Sequence, residues 1–395
     1  MRKILAYILY FIIGGYIVLN RGISGLSIGP LYLGEIGLFL GLPFLLKALL
    51  NQIKTFFWMN ILILIYFIWG LIHLSFGTID LYSLQQFVLV YYIAFIPIGY
   101  EVGKRYPDIF DRIFPVFLKT HVIFALFRPI FIIFLSNSIM IGGTSLFGTY
   151  GTYVLFTVPA LFYFTLFKKN NFWALLSLLA ILSLASRNGF VSLIVCGLIS
   201  IKMIGFKEIK GFFKISLITL IIAGLFGSSV SEIEGLNIRG DLSLTNLLDI
   251  LESIVVESED SQLNGSRSHR LEMWEKILNK RIDTGLFLGE GFGTNMTDTV
   301  FVHPHNSLVS VFGRLGLVGL LIWLLLYIKI LIHNINIFKR KLNKKRTLWF
   351  ILFIISSFIT ACFSVVLESP MLAIPIYFIY GLSLSEYSKV RQRIN

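Results

Sequence analysis

The stretch Ser307–His333, SLVSVFGRLGLVGLLIWLLLYIKILIH, decides the fold class of this chain. Arg314 and Lys329 are its only charged side chains, and the rest is dominated by leucine, isoleucine and valine. About 20 predominantly apolar residues cross a bilayer as an α-helix. The stretch lacks the apolar and polar alternation at period two that membrane β-strands require. It therefore predicts a transmembrane helix.

Composition extends this prediction to the whole chain. Of the 395 residues, 56% are hydrophobic and only 14% are charged, whereas soluble domains carry roughly a quarter charged residues. The mean hydropathy is +0.82. So little polar surface cannot enclose a water-soluble core, and the composition excludes a soluble protein.

The sequence predicts an all-α, polytopic membrane protein with about 12 transmembrane helices. These helices are predicted at residues 4–19, 31–50, 55–75, 81–100, 113–135, 145–167, 172–185, 189–205, 212–228, 307–333, 347–367 and 371–386. The domain organisation follows as nine helices in 1–228, one large extracytoplasmic loop in 229–306, and three helices with a tail in 307–395.

The basic residues predict the orientation. With the amino terminus in the cytoplasm, alternate loops on that side hold most of the 34 lysines and arginines, as cytoplasmic loops do. Both termini are then cytoplasmic and the large loop faces outward. The basic residues of these cytoplasmic loops account for the net charge of +13, so the charge does not indicate a nucleic-acid partner.

The large loop concentrates the polar chemistry, with 13 of the 21 acidic residues and only six basic ones. Residues 243–256 predict an amphipathic helix on the membrane surface, and residues 268–282 predict a second amphipathic helix. A glycine-rich stretch, GLFLGEGFG at 285–293, follows. Because no strand precedes it, we interpret it as a turn-rich connector and not as a dinucleotide site.

The loop ends in Phe301-Val302-His303-Pro304-His305-Asn306, directly before the tenth predicted helix. The two histidines allow three interpretations: anchoring at the membrane interface, a metal pair, or catalysis. A metal pair lacks an obvious third ligand, since Glu290 and Asp298 are the nearest acids.

Arg187 lies in a short break between two apolar segments, on the predicted outer side. An arginine at or within a bilayer is costly and needs a partner or a function. Pairing with a loop carboxylate and a functional role both remain open. Arg314, one turn into the tenth helix, is a second such arginine.

The closing segment resembles the O-antigen ligase and polymerase superfamily of bacterial surface-glycan enzymes. The family pattern is His, then Asn, Ser or Gln, nine residues, Gly, two residues, and Gly, Thr or Tyr. Here it corresponds to His305-Asn306, nine residues, Gly316, two residues and Gly319.

Two upstream segments are similar to the same family. Arg270-Leu271-Glu272-Met273-Trp274 with Gly289-Glu290-Gly291 resembles its arginine-bearing helix and glycine-rich turn. Arg267 and Arg270 compete for one family position, and the offset from Trp274 favours Arg270. Ser186-Arg187 resembles the family's arginine at an outer helix end. The resemblance covers mainly residues 180–330.

The resemblance implies an inverting, metal-independent glycosyltransferase in the bacterial inner membrane that needs no cofactor. Its substrates would be undecaprenyl-pyrophosphate-linked oligosaccharide repeat units and an acceptor glycan, joined into O-antigen or capsular polysaccharide on the periplasmic side. A chain-length regulator is a further candidate partner. The implied catalytic residues are His305, Arg187 and Arg270. Candidate substrate-binding residues are Arg267, Asn306, His303, Glu290 and Arg314.

Three alternatives remain. An O-antigen ligase would transfer finished polymer to lipid A-core, and no residue separates it from a polymerase. A flippase or transporter for lipid-linked sugars would show paired halves with broken helices, and the sequence shows no such symmetry. A peptidoglycan-type membrane glycosyltransferase would instead depend on an acid such as Glu290 or Asp298.

Overall fold

In a computed structural model the described part of the chain is almost entirely helical. The structure describes residues 2–28, 31–52, 57–77, 79–135, 140–141, 144–145, 153–184, 186–208, 210–212, 214, 216, 262–294, 296, 304–340 and 344–394. The α-helices are α1 Arg2–Leu19, α2 Leu33–Gln52, α3 Phe57–Leu74, α4 Leu81–Gln86, α5 Val88–Tyr91, α6 Phe95–Arg105, α7 Pro107–Leu135, α8 Val154–Phe162, α9 Asn171–Ser183, α10 Arg187–Ile204, α11 Gln262–Thr284, α12 Ser307–Lys339, α13 Lys344–Phe363 and α14 Pro370–Ile394.

Short elements connect some of these helices. Turns of 3₁₀-helix cover Asn20–Ile23 and Tyr92–Ala94, and a π-helical turn covers Tyr163–Phe167. Two antiparallel hairpins pair β1 Ser27–Ile28 with β2 Leu31–Tyr32, and β3 Met140–Ile141 with β4 Thr144–Ser145.

The prediction of an all-α fold is confirmed, because the described elements are helices apart from two short hairpins. Six helical stretches in the described part are long and apolar enough to cross a membrane. They are Arg2–Leu19, Leu33–Leu50, Phe57–Leu74, Leu81–Arg105, Ser307–Lys339 and Lys344–Phe363. The count of 12 spans and the three-part domain organisation stay predictions. Most of the ninth predicted helix and the amphipathic stretch 243–256 lie outside the described residues.

The chain divides into two units that interleave along the sequence. Unit 1 comprises Met1–Gly37, Tyr106–Glu257 and Ile337–Thr360. Its core contains the indole of Trp349 on α13, whose Nε1 donates to the carbonyl of Pro159 at 2.9 Å. Nearby, Arg346 donates to both carboxylate oxygens of Asp111 at 2.8 and 3.0 Å.

Unit 2 comprises Leu38–Arg105, Ser258–Asn336 and Ala361–Asn395. In it α6 packs on α14 with the two backbones in direct contact. A Cβ at Gly99 would overlap the carbonyl oxygen of Phe378, and one at Gly381 would overlap that of Ile96. Small residues permit such close approach between membrane helices.

Candidate functional site

The predicted helix at 307–333 is broken at Gly316. There φ is 68° and ψ is −173°, a combination that is open essentially to glycine alone. A Cβ at this position would also overlap the carbonyl oxygen of Phe287. The break divides α12 into a short segment, α12N (residues 307–315), and a long apolar continuation to Lys339. The second motif glycine, Gly319, lies one turn beyond the break and close to the ring of Trp69.

The break redirects the carbonyl groups at the end of α12N. In an intact helix each would accept from the amide four residues ahead. Here three of them accept instead from the glycine-rich stretch 285–293, which we call the Gly turn, and from α3. The contacts are Glu290 N–H to Gly313 O at 2.9 Å, Gly291 N–H to Arg314 O at 3.0 Å and Trp69 Nε1 to Leu315 O at 2.8 Å, while Leu317 N–H donates to Leu286 O at 3.1 Å.

His73 on α3 also holds the Gly turn. The Gly289 amide donates to its Nε2 at 3.2 Å, so that nitrogen must be the acceptor of a neutral imidazole. The proton then lies on Nδ1, which donates to the carbonyl of Trp69 at 2.9 Å. His73 is fully buried. The Gly turn is therefore anchored at Gly289, although Leu286, Phe287 and Leu288 before it are exposed.

The start of α12N is fixed as firmly as its end. The side-chain oxygen of Asn306 accepts from the amides of Leu308 at 2.9 Å and Val309 at 3.3 Å, as an N-cap residue does. The buried hydroxyl of Ser307 donates to the carbonyl of Ser364 at 3.0 Å and accepts from the Val366 amide at 2.7 Å. Asn306 thus has a structural role in addition to its predicted substrate role.

His305 lies immediately before this cap, with an exposed side chain and a φ of 49°. A positive φ is uncommon for residues other than glycine, although histidine is among those that adopt it more often. The preceding carbonyl, of Pro304, accepts from Trp274 Nε1 on α11 at 2.5 Å. Arg270 lies one turn before Trp274 and is half-buried. This hydrogen bond therefore holds the helix turn that carries Arg270 beside the segment that carries His305.

Helix α11 confirms that residues 268–282 are helical, but the apolar face predicted for them, with Leu271, Trp274, Leu278 and Ile282, is not the buried one. Its buried side consists of Met273 and Ile277, which pack with Met296, and of the buried Arg281. Leu271, Leu278 and Ile282, the three aliphatic residues of that predicted face, are instead exposed.

Glu290 in the Gly turn is held by two cations from α11. One carboxylate oxygen accepts from Arg281 Nη2 at 2.7 Å and from Lys280 Nζ at 2.8 Å. Arg281 also donates to the carbonyl of Leu288 at 3.3 Å. The predicted substrate-binding carboxylate is thus ion-paired with the helix that carries Arg270.

Arg314 is buried and has several polar neighbours. Its Nη1 donates to Gln86 Oε1 at 2.6 Å and to the carbonyl of Gly291 at 3.4 Å. Its Nε lies 3.8 Å from a carboxylate oxygen of Glu368. These contacts tie the guanidinium to α4, to the Gly turn and to the segment between α13 and α14.

Sequence reasoning missed His73, Gln86 and Glu368. Glu368 carried a usable signal, because an acid inside or at the end of an apolar segment is costly and needs a partner. His73 and Gln86 carried none, since single polar residues in helices gain meaning only from distant neighbours.

Arg187 belongs to unit 1, where it is the first residue of α10. The carbonyl of Ser186 accepts from Gly189 N–H at 2.9 Å, and the Ser186 hydroxyl donates to the side chain of Asn188. The side chains of Arg187 and Arg267 lie outside the described part of the chain, as do residues His303 and Asp298. Among the residues that are described, no group of three or more His, Cys, Asp or Glu side chains could hold a metal ion.

Comparison with known proteins agrees with the resemblance read from the motifs. Residues 172–324 match a family model described as O-antigen ligase. This range contains Arg187, Arg270, the Gly turn, His305 and Gly316. No curated protein matches the chain. With its apolar helices the chain is a multi-pass membrane protein, and over residues 172–324 it is similar to the O-antigen ligase and polymerase superfamily.

Proposed function

We propose that the chain is a polymerase that joins polyprenyl-pyrophosphate-linked oligosaccharide repeat units into O-antigen or capsular polysaccharide. The acceptor sugar hydroxyl attacks the anomeric carbon of the donor, the glycosidic bond to the pyrophosphate breaks, and the configuration inverts. The hydroxyl proton passes to a base, and the lipid pyrophosphate leaves. Pyrophosphate is already a good leaving group, so the scheme requires no metal.

The observation that carries this proposal is the hydrogen bond from Trp274 to the carbonyl of Pro304. It supports a shared role for Arg270 and His305, because it links the helix turn of one to the backbone of the other. In the proposal Arg270 binds a phosphate oxygen of the donor, since a guanidinium matches phosphate geometry and stays charged. His305 orients the acceptor hydroxyl or accepts its proton. His303 and Arg267 stay candidate substrate contacts.

Arg187 enters the proposal as a second diphosphate ligand, on its sequence pattern and its place in α10. A cation at the first position of a helix opposes the helix dipole, which favours anions there. A bound phosphate would interact favourably with both the guanidinium and the positive end of the helix dipole. The motif and this helix position support the role.

Asn306, Glu290 and Arg314 take supporting roles in this scheme. Each already has protein partners in unit 2: the α12N amides, the cations of α11, and the Gln86 and Glu368 side chains. We propose that they hold the segments that carry Arg270 and His305.

Purified protein in detergent or liposomes, incubated with lipid-linked repeat units, tests the proposal. We expect longer lipid-linked products without nucleotide sugar, and unchanged yield when a chelator is added. His305→Ala, Arg270→Gln and Arg187→Gln should each abolish elongation while membrane insertion persists. Lys276→Gln is the matched control for Arg270→Gln, because Lys276 is an exposed cation on the same helix, α11. Full elongation by any of the three variants would remove that residue from the proposed site.

The second candidate is an O-antigen ligase, because the matching family model carries that description and does not separate ligases from polymerases. Gene deletion distinguishes the two. Loss of a polymerase leaves single repeat units on the surface, whereas loss of a ligase leaves bare core and accumulated lipid-linked polymer.

A further inference from the structure

Gln86 is the side chain at which three parts of unit 2 meet. It is the last residue of α4, a short helix whose start is fixed by reciprocal hydrogen bonds between Asp80 and Ser83 at 2.7 and 2.9 Å. Its Oε1 accepts from the Gly293 amide at 2.8 Å and from Arg314 Nη1 at 2.6 Å. One oxygen thus connects α4 to the Gly turn and to α12N.

The orientation of this amide is determined by its neighbours. Gly293 N–H and the Arg314 guanidinium are both donors, so the oxygen and not the nitrogen must face them. Gln86 Nε2 is buried and has no hydrogen-bond partner among the described residues. The acceptor oxygen is therefore the atom through which Gln86 acts.

Both groups bound by Gln86 belong to elements that fix the position of His305. Arg314 lies at the end of α12N, whose other end is capped by Asn306, the residue after His305. Gly293 ends the Gly turn, which supplies two of the three donors to the carbonyls at the end of α12N. Because α12N is short and is held at both ends, a shift at Arg314 is transmitted to its first turn.

Packing around the amide reinforces this arrangement. Phe87, the next residue, meets the ring of Phe292 edge-on with centroids 5.3 Å apart, and Phe292 is fully buried. This ring contact lies next to the Gln86–Gly293 hydrogen bond and helps to fix the separation between the end of α4 and the Gly turn.

We propose that Gln86 is a positioning residue of the glycan-transfer site. Its carbonyl oxygen fixes α12N and the Gly turn, and through α12N it sets the position of His305. This inference rests on the proposed function, because it assigns a kinetic consequence to a contact that could otherwise serve folding alone.

Two substitutions separate the acceptor role from mere occupancy of the site. Gln86→Glu keeps an oxygen that faces both donors, replaces the nitrogen that has no described partner by a second oxygen, and adds a negative charge beside the Arg314 guanidinium. Gln86→Leu keeps a similar volume but leaves the Gly293 amide and the Arg314 guanidinium without their acceptor. The matched control is Gln85→Leu, the same change at the preceding residue of α4, whose side chain is exposed.

The experiment measures turnover and KM for the lipid-linked oligosaccharide with purified variants. For Gln86→Leu we expect turnover to fall on the order of 10²-fold, the size of effect that a misplacement of about 1 Å can cause. Its KM should stay within about twofold of wild type, since donor binding is assigned to the arginines. Gln86→Glu should retain most of the turnover, and Gln85→Leu should equal wild type.

Hydrogen–deuterium exchange on the same samples reports the structural cause directly. Peptides covering the Gly turn and α12N should exchange faster in Gln86→Leu than in Gln86→Glu. If Gln86→Leu is not recovered folded, Gln86→Asn takes its place, because the shorter side chain cannot reach both donors. Near-wild-type turnover in a folded Gln86→Leu or Gln86→Asn enzyme would overturn the proposal, as would severe loss in Gln86→Glu.

A parallel His305→Ala sample separates the two levels of failure. If His305→Ala elongates glycan normally, the proposed function of the site is wrong, whatever Gln86 does. If His305→Ala is inactive and Gln86→Leu is fully active, only the positioning role is wrong.

Discussion

Substitution of Gly316 by alanine tests the central structural feature of unit 2, the break in α12. The new Cβ would meet the carbonyl of Phe287 and require an unfavourable backbone conformation. Such backbone strain costs about 1–3 kcal/mol. Displacing the Gly turn would also weaken the Glu290–Gly313 and Gly291–Arg314 backbone hydrogen bonds, each of which contributes about 0.5–1.5 kcal/mol net.

Together these effects predict a loss of about 2–6 kcal/mol in the free energy of unfolding. Even the lower limit is a substantial part of the free energy of unfolding of an ordinary domain, which is about 5–15 kcal/mol. The assay is thermal unfolding of the purified protein in detergent, followed by intrinsic fluorescence, with glycan elongation measured on the same preparation. We expect a clearly lower midpoint and loss of elongation.

Gly197→Ala is the matched control. Gly197 lies inside α10, and a Cβ there would meet no atom within 4 Å. Alanine is favoured over glycine in a helix interior by up to about 1 kcal/mol, so this variant should melt at or above the wild-type midpoint. If Gly316→Ala and Gly197→Ala behave alike, with midpoints and activity of the wild-type protein, the account of the helix break is wrong.

Two further changes probe single contacts. Trp274→Phe removes the donor to Pro304 but keeps an aromatic ring, so elongation should fall about tenfold, equivalent to roughly 1.4 kcal/mol in the activation free energy. The control is Trp58→Phe, at an exposed site on α3, which should have no effect. Equal activity of the two variants would contradict the proposed coupling between Arg270 and His305. In unit 1, a double-mutant cycle with Arg346→Met and Asp111→Asn tests the ion pair between these two side chains. The Asp111 side chain is 42% exposed, so solvent screens the pair. For this reason its coupling energy in the free energy of unfolding should lie below about 1 kcal/mol. Thermal unfolding at low and high salt measures it, and a salt-independent coupling well above that value would show that the pair is effectively buried.

Hydropathy and charge counts predicted the helical membrane class, because insertion into a bilayer depends on summed local properties. The helical period of apolar residues located α11, and the resemblance to the family pattern located the motif glycines. Hydropathy predicted a continuous helix over 307–333, since a single glycine in an apolar run does not reveal a positive φ. It likewise predicted one helix at 81–100, where the structure has α4, α5, a 3₁₀ turn and α6.

The candidate site was only partly accessible from the sequence. Arg270, His305 and Asn306 could be named from the resemblance to the family pattern, and Arg187 from an arginine in an apolar setting. The relation of Arg270 to His305 could not, because it depends on contacts such as Trp274 with Pro304, 30 residues apart in the chain. The polar partners of Arg314 are more distant still, at Gln86 and Glu368.

The sequence alone therefore determined that this chain lies in a membrane, is helical, and carries the family's histidine, arginine and glycine pattern. Those properties follow from side-chain chemistry and from the spacing of residues along the polypeptide chain. Only the tertiary structure decided that α12 breaks at Gly316 and that its freed carbonyl groups are satisfied by the Gly turn and Trp69. Buried polar groups must find partners wherever the fold brings them, and that requirement links residues whose separation in sequence carries no signal.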